Sequence, residues 1–97
     1  MTSLAYTPRA RDDLDRLADF LLDTDPAAAG STQALIVDAL EILARHPLVG
    51  RRTQSGRREL VISRGHTGYL ALYEYDERHD QVVILTVRHQ REAGFED

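Results

Sequence analysis

A histidine between arginines near the end of the chain is the group of residues best suited to chemistry. Arg88, His89, Gln90 and Arg91 directly follow the apolar run VVILTV. An imidazole exchanges protons near neutral pH and guanidinium groups bind phosphate, so this cluster would suit acid–base cleavage of RNA. Arginine and aromatic side chains also carry much of the binding energy at protein interfaces. The rest of the chain has to distinguish a nuclease site from a protein-binding strand end.

The composition argues against a protein that binds nucleic acid directly. The chain has 97 residues and a net charge of −4, and all twelve of its basic residues are arginine. This length predicts one domain over residues 1–97. Proteins that bind the nucleic-acid backbone usually have a basic excess, because released counterions supply much of the affinity. The acidic balance therefore favours a protein partner over ribosomal RNA.

Several classes of site and location are excluded by what the sequence lacks. There is no cysteine, which excludes disulfides and thiolate zinc sites. The four histidines, at positions 46, 66, 79 and 89, show no ligand-like spacing, so we expect no metal and no cofactor. MTSLAYTPRA at the start is not a signal peptide, and no uncharged run reaches about eighteen residues. We expect a cytoplasmic protein without a membrane partner.

Two helices are predicted in the first half of the chain. Thr7 is a suitable N-cap and Pro8 a suitable first helical residue, and an amphipathic pattern then continues to Asp25. A second, broadly apolar helix is predicted over residues 27–45, with a break at Gly30 and Ser31 as its cap. The apolar positions of the first helix include Leu14, Leu17 and Leu21.

Strands are predicted on both sides of these helices. A short strand at residues 3–7 precedes them, and strands at 59–63, 68–75 and 81–88 follow, joined by hairpin-like connectors. The order β-α-α-β-β-β predicts an α+β fold in which an antiparallel sheet packs against a helical hairpin. Alternation in the middle strand places one set of side chains on a single face, namely Tyr69, Ala71, Tyr73 and Tyr75.

The loop over residues 47–58 is strongly basic. It carries Arg51, Arg52, Arg57 and Arg58 between turn-forming glycines. These arginines suit either a solvated loop or a contact with nucleic acid or an acidic partner. With an acidic partner they would supply steering and bidentate pairing.

Several stretches together resemble the RelE/ParE superfamily of type II toxins, and more closely its ParE branch. They are YTPRA at 6–10, RELV at 58–61, GYLALY at 68–73 and VILTVRHQR at 83–91. The resemblance covers nearly the whole chain and implies the same order of elements. RelE-like members are ribosome-dependent endoribonucleases that cleave messenger RNA. ParE-like members inhibit DNA gyrase by binding it.

The residues that would distinguish these activities favour ParE. The sheet arginine expected of a RelE-like enzyme after Gly68-Tyr69 is Leu70, which can neither carry charge nor hydrogen-bond a phosphate. Phe95 or Glu96 stands where the terminal catalytic tyrosine is expected. The alternative, an endoribonuclease, would have to use His89, Arg64, Arg88 and Arg91.

The resemblance also implies partners. A ParE-like chain would be no enzyme; it would bind gyrase through its C-terminal strand end and be neutralised by a ParD-like antitoxin, as a heterotetramer built on an antitoxin dimer. Contact with DNA would be only indirect, through antitoxin or gyrase. An inactive remnant that binds only its antitoxin is a further alternative. The residues expected to bind the target are Arg88, His89, Gln90, Arg91 and Phe95. Those expected to bind the antitoxin are Arg51, Arg52, Arg57, Arg58, Leu14, Leu17 and Leu21.

Overall fold

The computed structural model of the chain describes residues 2–64 and 67–89. A strand and two helices come first, as predicted, and the remaining strands follow. One two-residue strand, β2, was not predicted. The elements are β1 (Ser3–Tyr6), α1 (Pro8–Thr24), α2 (Pro26–Glu41), a 3₁₀ turn (Ile42–Ala44), β2 (Arg51–Arg52), β3 (Arg58–Arg64), β4 (Thr67–Asp76) and β5 (Gln81–His89).

The strands form one sheet in the order β1-β5-β4-β3-β2. The pairs β3–β4 and β4–β5 are antiparallel, as predicted for strands joined by short turns. β1, whose partner the sequence did not specify, pairs with β5 in parallel, so the sheet as a whole is mixed. The two helices provide the long crossover that a parallel neighbour requires.

Helix α1 begins as the sequence predicted. The Thr7 hydroxyl accepts a hydrogen bond from the Ala10 N–H at 3.0 Å and donates one to the Leu85 carbonyl at 2.9 Å. One side chain therefore caps α1 and ties its start to β5. Helix α1 ends at Thr24 because Pro26 disfavours helical geometry at Asp25.

Helix α2 runs unbroken through Gly30, so the predicted break there is wrong. Ser31 is not the cap: its hydroxyl donates to the Ala28 carbonyl at 3.1 Å, inside the helix. Pro26 begins the helix instead, because its fixed φ suits a first helical position. The 19 residues Pro26–Ala44 are also long and apolar enough, by length and composition alone, to cross a membrane. Ile36 and Leu40 are buried against the sheet and α1, so we interpret this run as a core helix.

The hydrophobic core lies between the helices and one face of the sheet. The predicted alternation of β4 is confirmed, because Tyr69, Ala71 and Tyr73 are buried there. We call this the helix face and the opposite side the far face. The other core residues include Leu17, Ile36, Leu40, Leu43, Ile62, Val82, Ile84 and Val87.

Asp13 of α1 covers part of the open edge of β5. β1 pairs with β5 only as far as Ile84, which leaves the later residues of β5 without a strand on that side. The Asp13 carboxylate is buried, accepts a hydrogen bond from the Val87 N–H at 3.0 Å, and lies 3.5 Å from Arg16. A helix side chain thus satisfies a strand-edge donor that would otherwise be buried without an acceptor.

Replacing Asp13 with alanine should lower the free energy of unfolding by about 2 kcal/mol, since the Val87 N–H then loses its acceptor. Urea denaturation would measure this. Asp13→Asn is the matched control: its amide oxygen can still accept the bond, so a smaller loss is expected. Equal stability of Asp13→Ala and the unmodified chain would contradict the role given to this contact.

Candidate functional site

Arg88 and His89 lie on opposite faces of the sheet. His89 pairs with Tyr69, and the two rings meet edge to face with centroids 5.3 Å apart and planes at 88°. Arg88 pairs with Leu70, the next residue of β4, whose side chain points to the far face. The structure therefore places the His89 imidazole and the Arg88 guanidinium on different faces of the sheet.

The structure describes less of the other residues predicted for that cluster. Arg64 is the last residue of β3 and pairs with Thr67, at the end of the sheet where His89 lies. Gln90, Arg91 and Phe95 lie outside the described residues, so their role in target binding stays a prediction.

The centre of the far face is apolar. Leu70 lies between Val61 of β3 and Arg88 of β5, and Val61 is 48% exposed. The next row places Leu72 between Glu59 and Thr86, but Leu72 is buried, so the accessible apolar groups described here are the exposed Val61 and the half-buried Leu70. A phosphate needs cations or hydrogen-bond donors, and two neighbouring aliphatic side chains provide neither. This surface suits contact with another protein.

Three of the four arginines of the predicted cluster bind other groups of the same chain. On the far face Arg51 forms an ion pair with Glu59, and the Arg57 Nε lies 2.9 Å from Glu74. Arg52 is exposed on β2. Glu59 lies on β3, which pairs with β2, and Glu74 lies on β4, which pairs with β3; no local sequence pattern predicts either ion pair. The four arginines do gather at one hairpin, because β2 pairs with β3.

Arg58, the first residue of β3, binds the backbone of the loop Pro47–Gly50 instead of a carboxylate. Its Nη1 donates to the carbonyls of Leu48 at 3.1 Å and Gly50 at 2.8 Å. The buried Tyr73 hydroxyl donates to the Pro47 carbonyl at 2.8 Å and accepts from the Gly50 N–H at 2.8 Å. Burial raises the pKa of Tyr73. The sequence shows only a Pro-x-x-Gly spacing for this anchored loop.

The leucines predicted to contact an antitoxin differ in accessibility. Leu17 is 5% exposed and belongs to the core, so it is not available to a partner in this structure. Leu14 is partly buried against the core and Leu21 is half-buried. The exposed apolar side chains of α1 are instead Phe20 at 62% and Leu22 at 54%.

Metal binding finds no support in the part of the chain that the structure describes. Among residues 2–64 and 67–89, no group of three or more His, Asp or Glu side chains is arranged to hold an ion. His79 instead contacts Asp76, its Nδ1 lying 2.7 Å from the carboxylate, in the β4–β5 turn. The hydrogen bond from His79 lowers the pKa of Asp76. This pair is a turn contact.

Similar proteins agree with this fold. The family model described as the ParE toxin of the type II toxin-antitoxin system parDE matches residues 4–94. The toxin RelE3 of Caulobacter vibrioides is 41% identical over 92 residues, covering 95% of this chain and 98% of that protein.

Solved structures show the same architecture. The chromosomal ParDE system from P. aeruginosa matches with a TM-score of 0.76 and 25% identity, over 92% of this chain and 96% of that chain. The RelBE2 toxin-antitoxin complex from Mycobacterium tuberculosis matches with a TM-score of 0.59 and 33% identity, over 92% and 98%. With the strand, helix pair and mixed sheet described above, these matches show that the chain belongs to the ParE toxin family of type II toxin-antitoxin systems.

Proposed function

We propose that this toxin acts by binding DNA gyrase, without chemistry of its own, through the far face and the residues that follow β5. The observation that carries this proposal is Leu70 in the middle of the far face, with Val61 on one side and Arg88 on the other. Arginine and exposed aliphatic groups are typical of protein contacts. The division of Arg88 and His89 between two faces adds support, because it separates a base from a phosphate-binding group.

The partner that restrains such a toxin is a cognate antitoxin. The similar structures from P. aeruginosa and M. tuberculosis are of a ParDE toxin-antitoxin system and of the RelBE2 toxin-antitoxin complex. By analogy, we expect a ParD-like antitoxin to bind this chain in the cytoplasm, as a heterotetramer built on an antitoxin dimer. The exposed Phe20, Leu22 and Arg52 replace Leu17 and Arg58 as the expected contacts, since Leu17 lies in the core and Arg58 holds a loop.

Ribosome-dependent cleavage of messenger RNA is the second candidate. The name RelE3 of the C. vibrioides relative favours it, as does the presence of Arg88 and His89. A nuclease of this kind would need His89 as its acid or base, because it is the titratable group of the predicted cluster that can exchange a proton near neutral pH. The two functions therefore differ in their dependence on His89.

Expression in a bacterial host would test the proposal. We expect DNA-damage signalling and filamentous cells, with messenger RNA on translating ribosomes left intact, as read by primer extension. Ribosome-associated cleavage without DNA-damage signalling would exclude the gyrase proposal.

His89→Ala should reduce toxicity less than about threefold, because a gyrase inhibitor needs no proton transfer at this position. The fold should tolerate the change, since the ring makes an edge contact with Tyr69 and is only half-buried. Growth curves at matched expression would measure it. A nuclease predicts a loss of about a hundredfold or more for the same variant.

A further inference from the structure

Two side chains of the sheet, Tyr73 and Arg58, form hydrogen bonds with the backbone of the loop Pro47–Gly50. Tyr73 binds the Pro47 carbonyl and the Gly50 N–H, each at 2.8 Å. Arg58 binds the Leu48 carbonyl at 3.1 Å and the Gly50 carbonyl at 2.8 Å. Gly50 packs so closely on the Tyr73 ring that an added Cβ would lie 2.6 Å from it. The backbone of the loop is therefore fixed before any partner binds.

This fixed loop displays aliphatic side chains to solvent. Leu48 is 52% exposed and Val49 is 56% exposed. With His46 and Pro47 they line a shallow concavity of about 370 Å³. Neighbouring apolar groups on a preorganised backbone are the arrangement expected of a binding site, because little entropy is lost on docking.

The residues that flank the loop in the sequence are positively charged. No acidic residue occurs between Glu41 and Glu59, whereas Arg45, Arg51 and Arg52 flank the loop, in a chain whose net charge is −4. Arg45 and Arg52 are exposed, and the Arg51 side chain is 76% exposed even though it pairs with Glu59. A partner that fits this surface carries aliphatic residues with carboxylates beside them.

We propose that the Pro47–Gly50 loop is a preformed docking site for an acidic, aliphatic segment of the cognate antitoxin, with Leu48 and Val49 as anchors and Arg45 and Arg52 as flanking cations. This inference rests on the proposed function for the existence of that partner. It assigns the antitoxin a surface separate from the far face, so neutralisation and target binding use different residues. Rigid anchors mainly slow dissociation, while the arginines speed association.

The probe is the full-length cognate antitoxin, titrated against purified toxin. The variant Leu48→Ser/Val49→Ser should weaken the affinity by about 30-fold or more, mostly through faster dissociation. Val61→Ser is the matched control: its side chain is similarly exposed, at 48%, but lies on the far face, so its affinity should stay within about twofold. Arg52→Ser should slow association at low salt and have little effect at high salt.

A second variant tests the rigidity of the loop with its anchors intact. Tyr73→Phe removes the hydroxyl that holds Pro47 and Gly50. We expect faster hydrogen exchange at the Gly50 amide and an affinity about three- to tenfold lower, because the antitoxin must then order the loop. Unchanged antitoxin affinity together with faster exchange would overturn the role given to preorganisation.

The outcomes separate this inference from the proposed function. Equal antitoxin affinity of Leu48→Ser/Val49→Ser and the unmodified toxin overturns the docking site, whatever happens with gyrase. An unmodified toxin that binds no acidic antitoxin overturns it as well. If Leu48→Ser/Val49→Ser lost gyrase inhibition and kept its antitoxin affinity, the loop would belong to the target-binding surface instead. A toxin that leaves gyrase active but needs Leu48 and Val49 for its antitoxin would keep the docking site and overturn only the gyrase proposal.

Discussion

Ending the chain after His89 should reduce gyrase inhibition by more than about a hundredfold while changing the antitoxin affinity less than about threefold. The removed residues include Arg91 and Phe95, whose side-chain types dominate binding energy at protein interfaces. His89 must be retained, because it is the last residue of β5 and contacts Tyr69. Gyrase supercoiling assays and antitoxin titration of the same preparation measure the two effects.

A tail of unchanged length is the control for this truncation. Replacing residues 90–97 with glycine and serine should have the same effect as removing them, whereas Arg91→Lys with Phe95→Tyr should retain most of the inhibition. Full inhibition of gyrase by the chain that ends at His89 would contradict the assignment and leave the far face as the whole binding surface.

Gly50→Ala should lower the free energy of unfolding by about 3 kcal/mol, or the melting temperature by roughly 12–24 °C for a domain of this size. The new methyl group would lie 2.6 Å from the ring and hydroxyl of Tyr73. That ring cannot withdraw easily, because its hydroxyl is held by Pro47 and Gly50. Thermal and urea denaturation would both report the loss.

Gly30→Ala is the matched control, with an effect of opposite sign. Gly30 lies inside α2 with no atom within 4 Å of an added Cβ, so alanine should stabilise the helix by about 0.5–1 kcal/mol. Equal effects of the two glycine substitutions would contradict the close contact between Gly50 and Tyr73.

Local chemistry made the helices and the central strands predictable. Thr7 followed by Pro8 fixes the start of α1, and Pro26 limits its end, because each acts on residues close to it in the chain. Alternation along β4 placed Tyr69 and Tyr73 in the core, since one face of a covered sheet must be apolar.

The features that escaped prediction depend on residues far apart in the chain. Pairing of β1 with β5 joins Ser3 to Gln81, and no local pattern specifies such a parallel neighbour. β2 is only two residues long, too short to show a period. The same limit applied to the arginines: their types suggested binding, whereas Glu59 and Glu74, which pair with two of them, are brought close only by the sheet.

The candidate site was predicted from residue types, and the structure adds where those residues lie. Leu70 is the apolar residue at the position where a RelE-like nuclease is expected to carry a cation, and the structure places Val61 beside it. Sequence adjacency suggested that Arg88 and His89 act together, but neighbouring residues of a strand point to opposite faces.

Supercoiling of relaxed DNA by purified gyrase, with the purified toxin titrated into the reaction, tests the central proposal most directly. We expect supercoiling to stop at toxin concentrations near those of gyrase, with no RNA or ribosome present. Val61→Asp should weaken the inhibition at least tenfold, because it places a charge in the apolar centre of the far face. Undisturbed supercoiling, together with messenger cleavage on translating ribosomes that His89→Ala abolishes, would contradict the account.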